Sequence, residues 1–157
     1  MKTLIIYMTH HGTTRKVVDR LENGLGSEDT HAVDLEKNDT PDLSDAESVI
    51  IGGSIHMGQI QSKIKRFCEL QKDVLMKKRL GLFLCFMNEE LGVEEFNNAY
   101  PAELRNHAIA HGLFGGELLM DKMNFIEKFI IRMVAKETRS VSRLNYPAID
   151  QFIQVMR

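Results

Sequence analysis

Apolar residues in this chain gather in short dense runs, separated by segments where they recur every three or four positions. "TLIIYM" (3–8) is nearly continuous, as expected of a strand buried on both faces of a parallel sheet. "TTRKVVDRLENGLG" then sets Val17, Val18, Leu21 and Leu25 at helical spacing, with Gly24 and Gly26 as stop signals. "HAVDL" (31–35) and the β-branched "SVIIGGSI" (48–55) predict strands two and three. Ile60, Ile64, Phe67, Cys68 and Leu75 predict a helix from Gln59 to Lys77, and "LGLFLCFM" (80–87) a central fourth strand. Residues 88–106 are polar and acidic, with one short helix expected over Pro101–Asn106 and Pro101 in its first turn. "AIAHGLFGGEL" (108–118) reads as a fifth strand. Helices over Lys122–Lys136 and Pro147–Met156 close the chain, the second with Ile149, Phe152, Ile153 and Met156 on one face. Strand and helix alternate almost throughout, which predicts an α/β layered fold with a parallel sheet.

In such a sheet, ligands bind outside the carboxyl ends of the strands, at a topological switch point. The loops after strands one, three and four therefore carry the search for chemistry. The first, "THHGTT" (9–14), joins a strand to a helix N-terminus through a glycine, and unpaired amides with the positive end of a helix dipole make an anion site there. No glycine in the chain is followed by lysine, which excludes a Walker loop, and G-x-G-x-x-G is missing too. The loop has no cysteine nucleophile of the tyrosine-phosphatase kind. A phospho-acceptor receiver needs acidic residues where this chain has Met8-Thr9 and Gly52-Gly53-Ser54. What remains is hydroxyl-rich: Thr9, Thr13 and Thr14 with Gly12 can wrap a phosphate monoester without a cationic side chain. The alternative is a plain helix cap, Thr13 or Thr14 satisfying the first turn with nothing bound.

"THHGTT" resembles the phosphate-binding signature of the flavodoxins. That resemblance implies a flavodoxin-like, three-layer, doubly wound fold with a five-stranded parallel sheet in the order 2-1-3-4-5, in a single domain over 1–157. It also implies FMN, with its ribityl phosphate on Thr9, His10, His11, Gly12, Thr13 and Thr14. His10 and His11 are bulkier than the residues usual in that loop; as imidazolium ions they would pair with the phosphate, and otherwise they are loop histidines facing solvent.

"GGSIHMGQIQSKIKRF" (52–67) is the second loop and its helix. Gly52, Gly53 and Gly58 permit positive φ, and Ser54, Ile55, His56 and Met57 offer apolar contact together with backbone donors and acceptors, which a flavin ring requires. The same glycines would equally serve a simple turn. This string is similar to the flavodoxin-domain branch that contains the menaquinone-dependent protoporphyrinogen dehydrogenases, as is "DKMNFIEKFIIRMVAKETRS" (121–140), and the likeness runs from Lys2 to Phe152. By that resemblance the third loop, with Met87, Asn88, Glu89 and Gly92, covers the other side of the ring. It is shorter and more acidic than the branch's basic insertion. Glu89, Glu90, Glu94 and Glu95 would disfavour a reduced, anionic flavin nearby, unless they form only a solvated loop.

Lys128, Arg132, Lys136, Arg139 and Arg143 form a basic stripe opposite apolar residues, which suits an anionic membrane or an acidic partner. Glu127 and Glu137 interrupt it, so an ordinary surface helix with its apolar face in the core is the expectation. The 157 residues suit one domain. A net charge of −2 gives no reason to expect nucleic-acid binding, and the short apolar start has no cleavage site, so a cytoplasmic location is expected. Cys68 and Cys85, far apart and outside any C-x-x-C, read as buried free thiols.

The resemblance thus implies an FMN-binding redox protein whose partner is a redox protein or a small organic electron donor or acceptor. His56 is the one side chain singled out as a possible proton donor. Protoporphyrinogen oxidation with a quinone acceptor is the enzymatic alternative that the resemblance suggests, and a cofactor-free interaction domain is the third. No metal site is expected.

Overall fold

A computed structural model describes residues 1–118, 127 and 141–157. Five strands run parallel: β1 (Thr3–Tyr7), β2 (Thr30–Asp34), β3 (Ser48–His56), β5 (Arg79–Cys85) and β6 (Ala110–Leu113). Their order is β2-β1-β3-β5-β6, and a short strand, β4 (Gln59–Ile60), pairs antiparallel with the outer end of β3. Counting the parallel strands alone, this is the 2-1-3-4-5 order that the resemblance implies.

Alternating residues of each buried strand face opposite ways, and each face has its own core. Ile5, Tyr7, Ile50, Phe83 and Cys85 pack on Val17, Val18 and Leu21 of α1 (Thr13–Leu25) and on the C-terminal helix. Ile6, Val49, Ile51, Leu82 and Leu84 pack on α2 (Ser62–Leu70), α3 (Lys72–Leu75), α4 (Gly92–Ala99) and α5 (Ala102–His107), through residues such as Ile64, Phe67, Leu75, Phe96 and Leu104. The C-terminal helix, α6 (Tyr146–Met156), starts one residue earlier than expected, at the cap where the Asn145 side chain accepts from the Ala148 amide. Its Ile149, Phe152, Ile153 and Met156 are buried.

Several expectations need correction. The helix predicted over 59–77 begins only at Ser62, because Met57 (φ 54°) and Gly58 (φ 76°) turn the chain back so that Gln59 and Ile60 extend the sheet. Positive φ at both central residues is what a two-residue hairpin of type I′ demands. The helix also breaks at Gln71, before α3. Strand four ends at Cys85 rather than Met87, and the fifth strand ends at Leu113. There Gly115 (φ 69°) bends the backbone against the Arg143 carbonyl, and β7 (Glu117–Leu118) pairs instead with β8 (Val141–Ser142). The acidic segment holds a 3-10 turn (Glu89–Leu91) and all of α4, neither anticipated, while Pro101 caps α5 from just outside it. Gly24 is no stop signal: it lies inside α1, where a Cβ would meet Ile153 Cδ1 at 2.6 Å, so it lets α1 and α6 pack closely. The helix predicted over 122–136 lies outside the described residues apart from Glu127, as does the basic stripe apart from Arg143.

Candidate functional site

β1 lies between β2 and β3, so the loop leaving it departs beside the switch point, and β3 runs four residues past its last pairing with β1, Tyr7 with Gly52. The gap between these two carboxyl ends opens into a cleft of about 480 Å3, a size usual for a small-molecule site. Thr9, His10, His11, Thr13 and Thr14 line it from the first loop; Ser54, Ile55, His56, Met57 and Gly58 from the second; Met87 and Asn88 from the third. Four other glycine and acidic positions proposed from sequence do not line it. Gly12 is the residue before α1, Gly53 packs against Gln61, Gly92 packs beneath the Phe86 ring, and Glu89 is exposed in the 3-10 turn.

The first loop is held by its own threonine: the Gly12 amide donates to Thr9 Oγ1 at 2.9 Å. Gly12 (φ 94°) occupies the N-cap position of α1, and among the described residues no side chain caps that helix. This corrects the capping alternative, since Thr13 and Thr14 are already helical and their hydroxyls are directed elsewhere. Thr13 donates weakly to Glu117 Oε1 at 3.5 Å. Thr14 Oγ1 is buried without a hydrogen-bond partner among the described residues, apart from a weak contact with the Cys85 thiol. A buried hydroxyl without a strong partner is costly, and Thr14 is one of the residues that line the cleft.

The two cations that open α1 are already engaged. Arg15 donates to the Tyr7 hydroxyl (3.1 Å) and Glu22 (3.0 Å) and pairs with Asp19, while Lys16 holds Glu117 at 3.0 Å. The Glu117 side chain is only 5% exposed, so Lys16 supplies the charge that offsets its burial.

His10 and His11 face neither solvent alone nor a bare cleft. Their Nε2–H groups both donate to Glu127 Oε2, at 3.2 and 2.7 Å. The His10 ring also lies 4.3 Å from that of His11 and 4.2 Å from that of His56. Burial, and then the neighbouring imidazoles His10 and His11, lower the His56 pKa against the opposing pull of Glu127. His56 is therefore more neutral than an ordinary histidine, which limits its capacity as a charged acid. Of the four acids of the third loop, Glu95 alone lines the cleft, and burial followed by the Glu94 charge raises its pKa. It is a carboxyl at the cleft that holds its proton more readily than an exposed glutamate, and it stands apart from its exposed neighbours in the acidic segment.

Cys85, Phe86, Leu91, Gly116, Glu117 and Glu127 complete the lining and were not anticipated there. They arrive from distant parts of the chain; the glycine pair at 115–116 and the apolar end of strand four were the available signals. Cys68 and Cys85 are buried free thiols, as expected, and burial pushes each pKa up to about 12. Among the described residues no helix is long and apolar enough to cross a membrane.

Comparison with known proteins places this geometry. None of the curated protein sequences matches the chain. Among solved structures, rubredoxin oxygen:oxidoreductase from Desulfovibrio gigas superposes with a TM-score of 0.57 at 15% identity, covering 99% of this chain but only 35% of the other. This chain thus spans about a third of that protein. The WrbA-like flavodoxin from Agrobacterium tumefaciens gives 0.54 at 18% identity, over 99% and 96% of the two chains. A Fusobacterium nucleatum flavodoxin bound to flavin mononucleotide gives 0.50 at 15% identity, over 98% and 96%. At such identities the likeness is one of fold. The family itself is shown by the sequence model for the flavodoxin domain, which matches residues 4–144, so this chain belongs to the flavodoxin domain family.

Proposed function

We propose that the chain binds FMN non-covalently in this cleft and serves as a redox protein, exchanging electrons with a partner protein or a small organic molecule. The observation that carries the reading is the buried Thr14 hydroxyl, left among the described residues without a strong partner, beside a helix N-terminus that none of their side chains caps. That is what a phosphate-accepting loop leaves unsatisfied. The Thr13 and Thr14 hydroxyls, with His10 and His11, would hold the phosphate. Ile55, His56, Met57 and Gly58 on one side, and Met87, Asn88 and Leu91 on the other, would enclose the ring. FMN supplies the one- and two-electron chemistry, and the chain positions it and controls access. His56 and Glu95 are the groups that could exchange a proton at the cleft.

A second reading is favoured by the cleft's rim. Met57, from the second loop, and Leu91, from the third, both line the cleft and are exposed, an apolar border that suits a hydrophobic organic reactant. Together with the Gly-Gly-Ser-Ile-His-Met-Gly string, this supports an oxidoreductase related to the menaquinone-dependent protoporphyrinogen dehydrogenases. Oxidation of protoporphyrinogen with a quinone acceptor is its test, and turnover limited to protein partners would favour the carrier.

The flavin reading is tested by adding FMN to the full chain and recording the visible spectrum and flavin fluorescence. One flavin per chain is expected, and Thr14→Ala should weaken binding about fivefold, the effect of losing about 1 kcal/mol from a hydroxyl–phosphate contact. A chain that remains colourless with excess FMN would overturn the proposal and leave a cofactor-free interaction domain.

A further inference from the structure

We propose that His10, His56 and Glu127 form a binding site for a divalent transition-metal ion of the zinc class at the mouth of the cleft. Among the described residues, one ring nitrogen of each histidine and one Glu127 carboxylate oxygen all lie within 4.8 Å of one another. Atoms that close together share a point no more than about 2.8 Å from any of them, against metal–ligand bonds of roughly 2.0–2.2 Å, a difference that small side-chain rotations close. The three residues come from the loop after β1, the end of β3 and a position 117 residues beyond His10, so the fold has brought them together.

Donor chemistry decides the class of ion. Two imidazoles and a carboxylate suit zinc, nickel, cobalt or iron(II); magnesium and calcium want oxygen ligands. His11 Nε2–H, 2.7 Å from Glu127 Oε2, is placed to orient that carboxylate as an outer partner. All three proposed ligands line the cleft, so the ion would keep open positions toward it, as metal sites with three protein ligands do. The surrounding charge gives such an ion a role. Arg15 and Lys16, the cations at the start of α1, are bound by Asp19, Glu22 and Glu117; a metal ion would supply the positive charge that an anion in this loop otherwise lacks.

The inference does not rest on the flavin reading, and its experiment reads metal alone. The full-length chain, dialysed against a chelator and then against metal-free buffer, is titrated with Zn2+ by calorimetry and with Co2+ by visible absorption. One ion per chain is expected. His10→Ala, His56→Ala and Glu127→Gln should each weaken binding at least about tenfold, as loss of a ligand costs no less than loss of an outer partner, whereas His31→Gln, exposed on β2, should change nothing. Circular dichroism checks that each variant is folded. Absence of saturable Zn2+ binding below about millimolar concentration would overturn the proposal, as would undiminished binding in the His56→Ala, Glu127→Gln double variant. Neither result depends on whether the chain takes up FMN.

Discussion

Glu127 is the residue on which the chemistry of the first loop turns. Its carboxylate accepts from both His10 and His11, so the imidazoles that could meet a phosphate are already shared with an anion of the protein. Two anions on one pair of donors repel, and in a partly buried cleft the repulsion is less screened than in water. Glu127→Gln keeps the side chain's shape and removes its charge. In metal-free buffer, FMN should therefore bind the variant several-fold more tightly, about 1 kcal/mol for a screened charge pair, as read from quenching of flavin fluorescence. Equal or weaker affinity would mean that the histidines and the phosphate do not meet. The same substitution is expected to weaken zinc binding, so the two measurements move in opposite directions and separate the two roles of one carboxylate. The histidines themselves were visible in the sequence as an oddity of the loop, but their partner was not: nothing local to residue 10 points to residue 127.

Among the elements, β3 does the most to shape the site, and Gly52 shows how tightly it is built in. A Cβ at Gly52 would lie 2.0 Å from Phe83 Cζ and 2.1–2.3 Å from two further atoms of that ring. Phe83 is fully buried, with the Phe114 ring centroid 5.2 Å away and that of Phe152 at 6.4 Å. The ring has no free volume to move into, because protein interiors are packed like crystals. Gly52→Ala should therefore destabilise the fold by about 3 kcal/mol, at the upper end of overpacking costs, seen as a lower urea midpoint with an unchanged slope. A loss under about 1 kcal/mol would show that the aromatic cluster can rearrange. Legibility differed by element for physical reasons. Strands such as 3–7 and 79–85 declare themselves because both faces are buried and nearly every position is apolar. The β3–β4 turn did not, since it places a methionine at φ 54° where glycine or asparagine would have announced it. Helix α4 was hidden by its acidic exposed face and by the single turn of apolar residues, Phe96 and Ala99, that it buries.

At the scale of the whole molecule, two separate cores meet across one sheet, and each holds a cysteine: Cys68 on the α2 side, Cys85 on the α1 side. That both are buried thiols was readable from their spacing and apolar neighbours. The site was readable only in part, because its glycine and hydroxyl loops are local in sequence while Glu117 and Glu127 reach it through tertiary structure. The cysteines also couple stability to pH. Burial pushes both thiols up to about 12, whereas in the unfolded chain a thiol ionises near about 8.5. Between these values the native state keeps protons that the unfolded state has released, so stability is intact below about pH 8.5 and falls as pH rises above it. The slope is roughly 1.4 kcal/mol per pH unit for each thiol, and thus about twice that for the pair. Tyr100, fully buried with its hydroxyl donating to the Phe83 carbonyl at 2.6 Å, is shifted upward as well and adds to the loss at still higher pH. Urea midpoints measured from pH 7 to 10.5 should therefore decline steeply above about pH 9. In a Cys68→Ala, Cys85→Ala variant the stability at pH 7 is lower, but its decline with pH should be much shallower, since the groups that lose protons on unfolding are gone. An equally steep decline in the double variant would place the alkaline sensitivity on lysines and tyrosines and away from the two thiols.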